Sequence, residues 1–405
     1  MVDRADVVVI GSGGFGASTA FHLVERGVGD VVLVDRHDLA SQTSPRAAGL
    51  VSHARTSDLM TELAKIAGAK LARFTEDTGQ PLDWTRSGSL KVARRPEDVA
   101  VVDGDVARGE RLGLDVELLS ADDAHRLNPF LRPDGVLVVL RVGDDLYFDP
   151  AQVAIGYVRA AEARGATVLP HTTVTRVNIE GGRVQGIETD RGAIRAPVVV
   201  DAAGAWTRQV AAASGIRIPL VPTRHQLIVT EPIDGVQPEL PIVRIMDAAV
   251  YVRPCAGGLL WGGYEEIPRF FDMDALPSDF AIPDTPLDAD VLWRMADDVR
   301  LQLPVLREAG VREHRGGLPT MTADGWHIVG PAPAADGFFI AGGCNVAGLS
   351  ISPAIGDALA TWIANGEPPL DVEPLSIARF ASEEMPQEQL ERAATWQYRH
   401  FYGAR

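Results

Sequence analysis

Three glycines near the start of the chain have a spacing that suits the binding of a diphosphate. They are Gly11, Gly13 and Gly16 in the segment GSGGFG, and an acidic residue, Asp35, follows 24 positions after Gly11. Gly11 permits a tight turn, Gly13 lets the backbone approach a pyrophosphate, and Gly16 lets the following helix pack closely. The Asp35 carboxylate is placed to accept hydrogen bonds from a ribose. The pattern therefore predicts a dinucleotide site.

The elements around these glycines are those that such a site requires. Residues 5–10 (ADVVVI) predict a buried parallel strand, residues 17–27 (ASTAFHLVERG) predict a helix, and VVLVD predicts a second strand that ends at Asp35. The diphosphate would lie at the start of the helix, where free N–H groups carry partial positive charge. An acid at the end of the second strand disfavours NADP, but it leaves both FAD and NAD open.

Composition and net charge limit the classes of molecule that this chain is expected to bind. The chain has 405 residues, enough for two domains, and a formal charge of −17, which argues against nucleic acid and against docking on anionic membranes. No apolar run reaches the roughly 18–20 residues of a membrane span, and the first strand begins at once, so we expect a cytoplasmic protein. The two cysteines, Cys255 and Cys344, are too few for a disulfide framework or a Cys-ligated cluster, and we expect no metal site.

Later segments carry a resemblance to a known family. After Asp35 come a Ser/Thr-rich turn and a small-residue stretch in HDLASQTSPRAAGLVSHAR. TTVTRVN (172–178), VVVDAAGAWTRQVA (198–211) and PTMTADGWHIVGP with FFIAGGCNVAGLSISPAIG (319–356) then follow in order. On these motifs the chain resembles the D-amino-acid oxidase superfamily of FAD enzymes, and within it the sarcosine oxidase, glycine oxidase and dimethylglycine dehydrogenase group. The resemblance implies FAD rather than NAD.

The resemblance also implies which residues contact FAD. Val174 would contact the adenine through its backbone, and AGAW would close the adenine side. The turn from Gly342 to Gly348 would place helix N–H groups where negative charge develops on the reduced flavin, or it is a structural strand-to-helix turn. The expected contact residues are Gly11, Gly13, Gly14, Phe15, Gly16, Asp35, Arg36, Ser44, Arg46, Ala47, Ala48, Gly49, Val174, Ala203, Gly204, Trp206, Gly342, Gly343, Asn345, Gly348 and Leu349.

The fold that the family implies is α/β, with a Rossmann-like FAD-binding domain and an α+β substrate domain built on an antiparallel sheet. We expect the discontinuous FAD-binding domain at 1–80, 146–220 and 320–370, the substrate domain at 81–145 and 221–319, and a packed or interface helix in the tail at 371–405. Periodicity predicts helices over 57–78, 97–112, 150–164, 205–213, 287–302 and 350–364. Strand patterns occur near 88–93, 136–141, 197–201, 223–230, 249–254, 258–262 and 338–341.

Candidate substrate-binding residues lie in AAVYVRPCAGGLLWGGYEE (248–266), which resembles a pattern of dimethylglycine dehydrogenase relatives. Tyr251 and Arg253 are two apart on a strand and share a face, and we expect Trp261 to point towards the flavin with them. Arg253 is a candidate clamp for a substrate carboxylate, or a member of a structural ion pair. His225 is a second pocket candidate, or a satisfied core histidine.

Weaker candidates each follow a segment that the resemblance places beside the flavin. They are His53, Trp326 and His327, and packing alone would also explain each of them.

The chain departs from the family in three places. In the covalent-flavin dehydrogenases a histidine precedes the Ala-Ala-Gly stretch, whereas this chain has Arg46, so we expect non-covalent FAD with Arg46 near the flavin or diphosphate. Leu318 stands roughly where glycine oxidases carry a carboxylate-binding arginine. The lysine that monomeric sarcosine oxidases use to promote reaction with oxygen has no clear counterpart in LLWGGY, which favours a dehydrogenase.

The resemblance implies oxidation of the C–N bond of a small secondary or tertiary amine or an N-methyl amino acid, with hydride transfer to flavin N5 and hydrolysis of the imine. Flavin chemistry requires no dedicated base, and the sequence shows no catalytic triad. Two alternatives stay open: a 2-hydroxy acid substrate, and a flavin-bearing subunit of a larger sarcosine-oxidase-like complex. A nicotinamide dehydrogenase fits the later motifs poorly. The electron acceptor would be oxygen or a redox partner.

Overall fold

The fold is described from a computed structural model that covers residues 2–380 and 385–403. Within this range the α-helices are α1 (Gly14–Glu25), α2 (Asp58–Ala72), α3 (Phe74–Thr78), α4 (Pro96–Arg111), α5 (Ala121–Leu127), α6 (Pro150–Ala163), α7 (Thr207–Ala213), α8 (Ala289–Asp298), α9 (Val305–Glu308), α10 (Gly348–Asn365) and α11 (Gln387–Arg399). No helix in the described part of the chain is long and apolar enough to cross a membrane.

The strands of the described residues form two large sheets and several small ones. They are β1 (Val7–Ile10), β2 (Val31–Val34), β3 (Leu50–Val51), β4 (Trp84–Thr85), β5 (Ser89–Ala93), β6 (Val116–Leu119), β7 (Val138–Val142), β8 (Leu146–Phe148), β9 (Thr167–Leu169), β10 (Val174–Glu180), β11 (Arg183–Thr189), β12 (Gly192–Arg195), β13 (Val198–Asp201), β14 (Leu220–Pro222), β15 (His225–Thr230), β16 (Ile242–Ile245), β17 (Val250–Cys255), β18 (Gly258–Gly263), β19 (Val311–Gly317), β20 (Thr320–Thr322), β21 (Ile328–Pro331) and β22 (Phe338–Gly342).

The first large sheet has the order β21-β22-β13-β1-β2-β9 and is parallel except for β21. Its central strands β1 and β2 are apolar at every position because both faces are covered. Val7 and Val9 pack towards α1, α6 and α10, whereas Val8 and Ile10 pack towards α7 and the sheet β10-β11-β12. The carboxyl ends of the parallel strands are thus the edge at which a ligand can enter.

The second large sheet has the order β19-β15-β18-β17-β16-β5-β7-β6 and is antiparallel except where β16 pairs with β5. Lys91, Arg244, Tyr251 and Gly262 form one row across four neighbouring strands, since each is the register partner of the next. Their side of the sheet packs against α11, and the opposite side packs against α8 and α9. The expected fold class, α/β with an added antiparallel sheet, is confirmed.

Most of the predicted helices and strands are present, but several begin or end at other residues than expected. The first helix begins at Gly14 rather than at residue 17, because the glycine turn is itself its first turn. The single helix predicted over 57–78 is two helices, α2 and α3, which meet at Arg73.

The expectation that Trp261 points towards the flavin with Tyr251 is wrong. Trp261 pairs with Val252 and packs in the core on the opposite side of the sheet from Tyr251. The tail contains α11, while its residues 381–384 and 404–405 lie outside the described range. The proposed division into domains stays a prediction.

Candidate active site

One cavity of about 550 Å³ extends from the carboxyl ends of β1, β2, β13 and β22 to the Arg244–Tyr251 side of the second sheet. This volume lies within the range of small-molecule and cofactor sites. The cavity brings together most of the residues expected to contact FAD: Gly11, Gly13, Gly14, Phe15, Asp35, Arg36, Ser44, Arg46, Ala47, Ala48, Gly49, Val174, Ala203, Gly204, Trp206, Gly342, Asn345, Gly348 and Leu349. Gly16 and Gly343 are outside its lining.

The glycine turn after β1 is shaped by close backbone contacts. Gly11 has a φ of +96°, and a Cβ there would lie 2.6 Å from the Ala202 carbonyl oxygen. A Cβ on Gly16 would lie 1.8 Å from the Gly11 oxygen, so Gly16 acts in packing rather than in the lining. By contrast, a Cβ on Gly13 would meet only Ser44 Oγ, at 3.3 Å, and would project into the cavity. A ligand needs this space, whereas the fold itself does not.

Asp35 and Ser44 fix the two loops that face the start of α1. Asp35 Oδ2 accepts hydrogen bonds from the Ser12 backbone N–H (2.8 Å) and the Ser12 hydroxyl (2.6 Å). Ser44 Oγ accepts the Gly14 N–H at 3.0 Å. Arg46 lines the cavity beside this contact, and burial together with the nearby Arg315 lowers the pKa of its guanidinium. The Arg46 side chain and the backbone at the start of α1 therefore line the same space, as a diphosphate requires.

The adenine side, as expected from the sequence, has an aromatic wall. Trp206 and Val174 line the cavity, and the Arg36 guanidinium carbon lies 5.1 Å from the centre of the Trp206 ring. This is within the range of a cation–π contact. The wall can therefore pack against a flat heterocycle.

The second glycine turn, between β22 and α10, has an unusual backbone. Asn345 and Val346 have φ values of +44° and +63°, a region that non-glycine residues seldom adopt. The Asn345 side chain holds the turn, since its Oδ1 accepts the Thr322 N–H and its Nδ2 donates to the Gly343 carbonyl. Gly343 is needed for the turn itself, because a Cβ would lie 2.5 Å from Thr322 Cγ2. The turn aims the first amides of α10, which has no side-chain cap, at the cavity.

Of the four residues predicted for the catalytic site, Arg253, Tyr251, His225 and His53, two line the cavity. The Tyr251 hydroxyl lies 2.9 Å from His225 Nε2, and both residues line the cavity. Burial lowers the pKa of His225 to about 3 and raises that of Tyr251, so both side chains are neutral at pH 7.

The other two, Arg253 and His53, lie outside the lining, so neither is placed to contact a ligand in the cavity. Arg253 is buried, and its Nε donates to the Ala48 carbonyl at 2.6 Å, so it supports the Ala47–Gly49 stretch instead of facing a substrate. His53 donates its backbone N–H to Asp145 Oδ1 at 2.7 Å, and its ring nitrogen Nδ1 lies 3.1 Å from the same atom. The weaker candidates Trp326 and His327 do line the cavity, as does Leu318.

Sequence reasoning missed two arginines of the cavity, Arg55 and Arg244. Arg244 Nη1 donates to Asp145 Oδ2 at 2.8 Å, and its Nη2 has no hydrogen-bond partner among residues 2–380 and 385–403. Arg55 donates from Nε to the Ser52 carbonyl at 2.8 Å and forms no ion pair within the described chain. Burial and the charge of Arg244 lower the pKa of Arg55. The signal for Arg244 was available: it is the only charged residue of an otherwise apolar buried strand, IVRI.

Asp145 holds Arg244 in place. The carboxylate is fully buried and also accepts the Ser89 hydroxyl at 2.6 Å. Although burial alone would raise the pKa of Asp145, the charge of Arg244 and the hydrogen bonds from His53 and Ser89 keep it well below its usual value. One carboxylate thus compensates one of the two guanidinium charges, and the other is left for a ligand.

The C-terminal tail supplies the remaining wall. Phe401 and Tyr402 line the cavity together with Tyr264, and the rings of Tyr264 and Phe401 stack with centroids 4.4 Å apart. Burial raises the pKa of Tyr402, while the charges of Arg244 and Arg55 act in the opposite direction. The end of the cavity at the second sheet is therefore aromatic and cationic at once.

Comparison with known proteins gives the family. A sequence model of the family "FAD dependent oxidoreductase" matches residues 6–362, so the chain belongs to this family, as the resemblance implied. It is 35% identical over 382 residues to mitochondrial sarcosine dehydrogenase of Mus musculus, covering 93% of this chain and 41% of that protein. The chain therefore spans less than half the length of that relative.

Two further comparisons match the chain over nearly its whole length. It is 27% identical to the sarcosine oxidase subunit beta of Rhizobium meliloti (strain 1021), covering 93% of this chain and 88% of that subunit. The crystal structure of L-proline dehydrogenase from P. horikoshii superposes with a TM-score of 0.84 at 22% identity, covering 94% of this chain and 99% of the other. The similarity to L-proline dehydrogenase shows a shared fold.

The cofactor of this family is FAD, and the residues of the cavity fit it. The space beside Gly13 at the start of α1 suits the diphosphate, and Asp35 and Trp206 suit the adenosine. Arg244 and Tyr251 of the second sheet and the first residues of α10 line the remaining space, where the flavin ring would lie.

Proposed function

We propose that this chain oxidises the C–N bond of a small secondary or tertiary amine that carries a carboxylate, such as an N-methyl amino acid. The observation that carries the proposal is the pair of arginines that line the cavity, the half-buried Arg55 and the buried Arg244, with a single compensating carboxylate, Asp145. The uncompensated guanidinium charge favours an anionic ligand, because a buried charge without a counter-ion is costly. The sarcosine dehydrogenase relative is named for a substrate of this kind.

The residues of the chain have distinct tasks in this reaction. Arg55 and Arg244, which both line the cavity, bind the carboxylate by charge-assisted hydrogen bonds. Phe401, Tyr402 and Tyr264 exclude water and pack against the carbon skeleton. When bound, FAD supplies the acceptor for the hydride that leaves the carbon beside nitrogen, and water hydrolyses the resulting imine.

The test is an anaerobic screen of the purified, FAD-loaded chain. N-methyl amino acids, simple amines and 2-hydroxy acids are added one at a time, and loss of the oxidised flavin absorbance is recorded. We expect bleaching by N-methyl amino acids, with an aldehyde and an amine as trapped products. Bleaching by 2-hydroxy acids alone, with a keto acid as product, would replace the proposal by the second enzyme function.

A second candidate function is that of a flavin-bearing subunit. Its support is the match to a sarcosine oxidase subunit beta over 88% of that subunit's length. If no substrate bleaches the flavin of the isolated chain, but bleaching appears after addition of a protein that copurifies with it, the chain acts within a complex.

We further propose that FAD is held without a covalent bond and that oxygen is a poor electron acceptor. Arg46 stands at the position of the histidine that the covalent enzymes use. Acid precipitation should leave the yellow colour in the supernatant, and reduced protein should reoxidise faster with an artificial acceptor than in air. A yellow precipitate, or rapid turnover in air, contradicts the respective half of this proposal.

A further inference from the structure

A surface loop between β18 and α8 lies at the nucleotide end of the cavity, and its residues 271–286 are called the strap below. Both ends of the strap are tied to one short segment of the chain. The Phe271 N–H donates to the Pro222 carbonyl at 3.0 Å, and Arg224 Nη1 donates to the Pro286 carbonyl at 3.1 Å. The strap is therefore a surface loop whose ends lie close together, the geometry of an Ω-loop.

Two hydrogen bonds fasten the strap to the wall of the cavity that follows β2. Arg36 Nη2 donates to the Ser278 carbonyl at 2.6 Å. Gln42 Oε1 accepts the Ile282 N–H at 2.8 Å. Since Arg36 and Gln42 both line the cavity, the strap is attached directly at its edge.

A third hydrogen bond fastens the strap to the wall that α7 provides. Gln209 of α7 donates to the Asp274 carboxylate, and both residues line the cavity. Val174 and Trp206, which are expected to face the adenosine, line the same end. The strap thus joins two walls of the cavity across its nucleotide end.

The strap is held by few buried side chains. Three of them are buried in a small apolar cluster with Ala205 and Leu318, and they are Phe271, Met273 and Ile282. Its middle is exposed at Ala275, Pro277, Ser278 and Asp279. Segments with few buried contacts open at a lower free-energy cost than the core of a protein. The strap can therefore open while both large sheets stay folded.

We propose that the strap closes the entrance of the FAD site, so that FAD is taken up and released at the nucleotide end when the strap opens. The bonds from Arg36, Gln42 and Gln209 keep it closed. Because the strap joins both walls where the adenosine would lie, the adenosine half passes only after these bonds break. Uptake of FAD is independent of the proposed reaction, whereas release rests on the proposed non-covalent binding.

An entrance has a kinetic signature that a simple contact with FAD lacks. A variant that opens the strap more often raises the rate constants of uptake and release by the same factor, and the equilibrium affinity stays the same. A variant that only loses a contact with bound FAD raises the rate constant of release and weakens the affinity, because affinity changes reside mostly in dissociation. The uptake rate therefore distinguishes the two roles.

The test compares two isoleucines of the same loop. Ile282 is 0% exposed and anchors the strap, whereas Ile267 lies before the strap and is 84% exposed. Ile282→Ala is the test variant and Ile267→Ala is the control. Stopped-flow flavin fluorescence measures FAD uptake by the FAD-free protein. Transfer of FAD from the loaded protein to an excess of another FAD-free flavoprotein measures release.

We expect both rate constants to rise about tenfold in Ile282→Ala, with the Kd for FAD changed by less than about twofold. Neither rate constant should change in Ile267→Ala. Faster release with unchanged uptake would make the strap a wall of the site and overturn the proposal. Unchanged rate constants in Ile282→Ala would overturn it as well.

A second variant, Arg36→Met, decides the question if Ile282→Ala does not fold. It removes the bond to the Ser278 carbonyl and leaves the buried cluster intact. Loss of one hydrogen bond should speed FAD uptake about fivefold. Unchanged uptake in Arg36→Met would contradict the proposal, even if release became faster. If FAD proves to be covalently bound, the proposed non-covalent binding fails, and the uptake rate of the FAD-free protein still decides the role of the strap.

Discussion

The two ends of the cavity are built from different materials. At the nucleotide end the ligand meets mainly backbone and small residues from the stretch 11–49, with a wall from Val174 and the segment 202–206. At the substrate end it meets long polar and aromatic side chains, among them Arg55, Arg244, Tyr251 and Tyr402, from segments that lie far apart in the sequence. The first end recognises a group that the whole family shares. In the proposed function, the second end determines which molecule reacts, and it does so with a few replaceable side chains.

The largest expected effect lies at the nucleotide end, in Gly13→Val. The Cβ would lie 3.3 Å from Ser44 Oγ, a close contact that a small shift of this side chain relieves, and Gly13 lines the space for the diphosphate. We expect the variant to fold with nearly unchanged thermal stability of the FAD-free protein and to bind FAD at least about a hundredfold more weakly. Calorimetric titration with FAD measures the affinity. Gly104→Ala, where a Cβ meets nothing within 4 Å, is the control. Normal FAD binding by Gly13→Val would place the diphosphate elsewhere.

At the substrate end the next largest effect is expected for Asp145→Asn. The change leaves the buried Arg244 without its counter-ion, so the free energy of unfolding should fall by about 3–5 kcal/mol. Denaturant unfolding measures it. Ser89→Ala removes only one of the hydrogen bonds to the same carboxylate and should cost about 1 kcal/mol. Equal losses for the two variants would mean that Asp145 acts as a hydrogen-bond acceptor and not as a counter-ion.

Arg55→Met tests the carboxylate-binding role more specifically. Loss of a charge-assisted hydrogen bond should raise KM for an N-methyl amino acid about tenfold to a hundredfold. For an N-methyl amine without a carboxylate, KM should change little. Arg191→Met, at an exposed position outside the cavity, is the control. An equal rise in KM for both substrates would assign Arg55 to the shape of the cavity instead.

The smallest expected effect is a pH dependence of stability from His225. Its pKa is about 3 in the folded chain and about 6.5 when unfolded, so only the unfolded chain takes up the proton between these values. The stability is complete above pH 6.5 and falls as the pH decreases, by about 1 kcal/mol between roughly pH 6 and pH 5. Denaturant unfolding of the parent and of His225→Gln at both pH values measures the difference. An identical pH slope for the two proteins would contradict a neutral buried imidazole.

The difference between the two ends also explains what the sequence could predict. The nucleotide end follows from local spacing, and the residues expected there line the cavity except Gly16 and Gly343, which act in packing and in a turn. The substrate end depends on register between distant strands. The alternation of side chains along a strand predicted that Arg253 shares a face with Tyr251. It did not predict that the guanidinium group would bind the Ala48 carbonyl. Residue types alone gave no sign that Tyr402, in a tail of unknown role, would face Arg244.

The most direct test of the substrate end is a spectral titration of the FAD-loaded chain with acetate and with acetamide, its uncharged counterpart. If Arg55 and Arg244 hold a carboxylate beside the flavin, acetate should perturb the flavin absorbance saturably, acetamide should not, and Arg55→Met should lose the response to acetate. Equal responses to acetate and acetamide, or an undiminished response in Arg55→Met, would contradict the account.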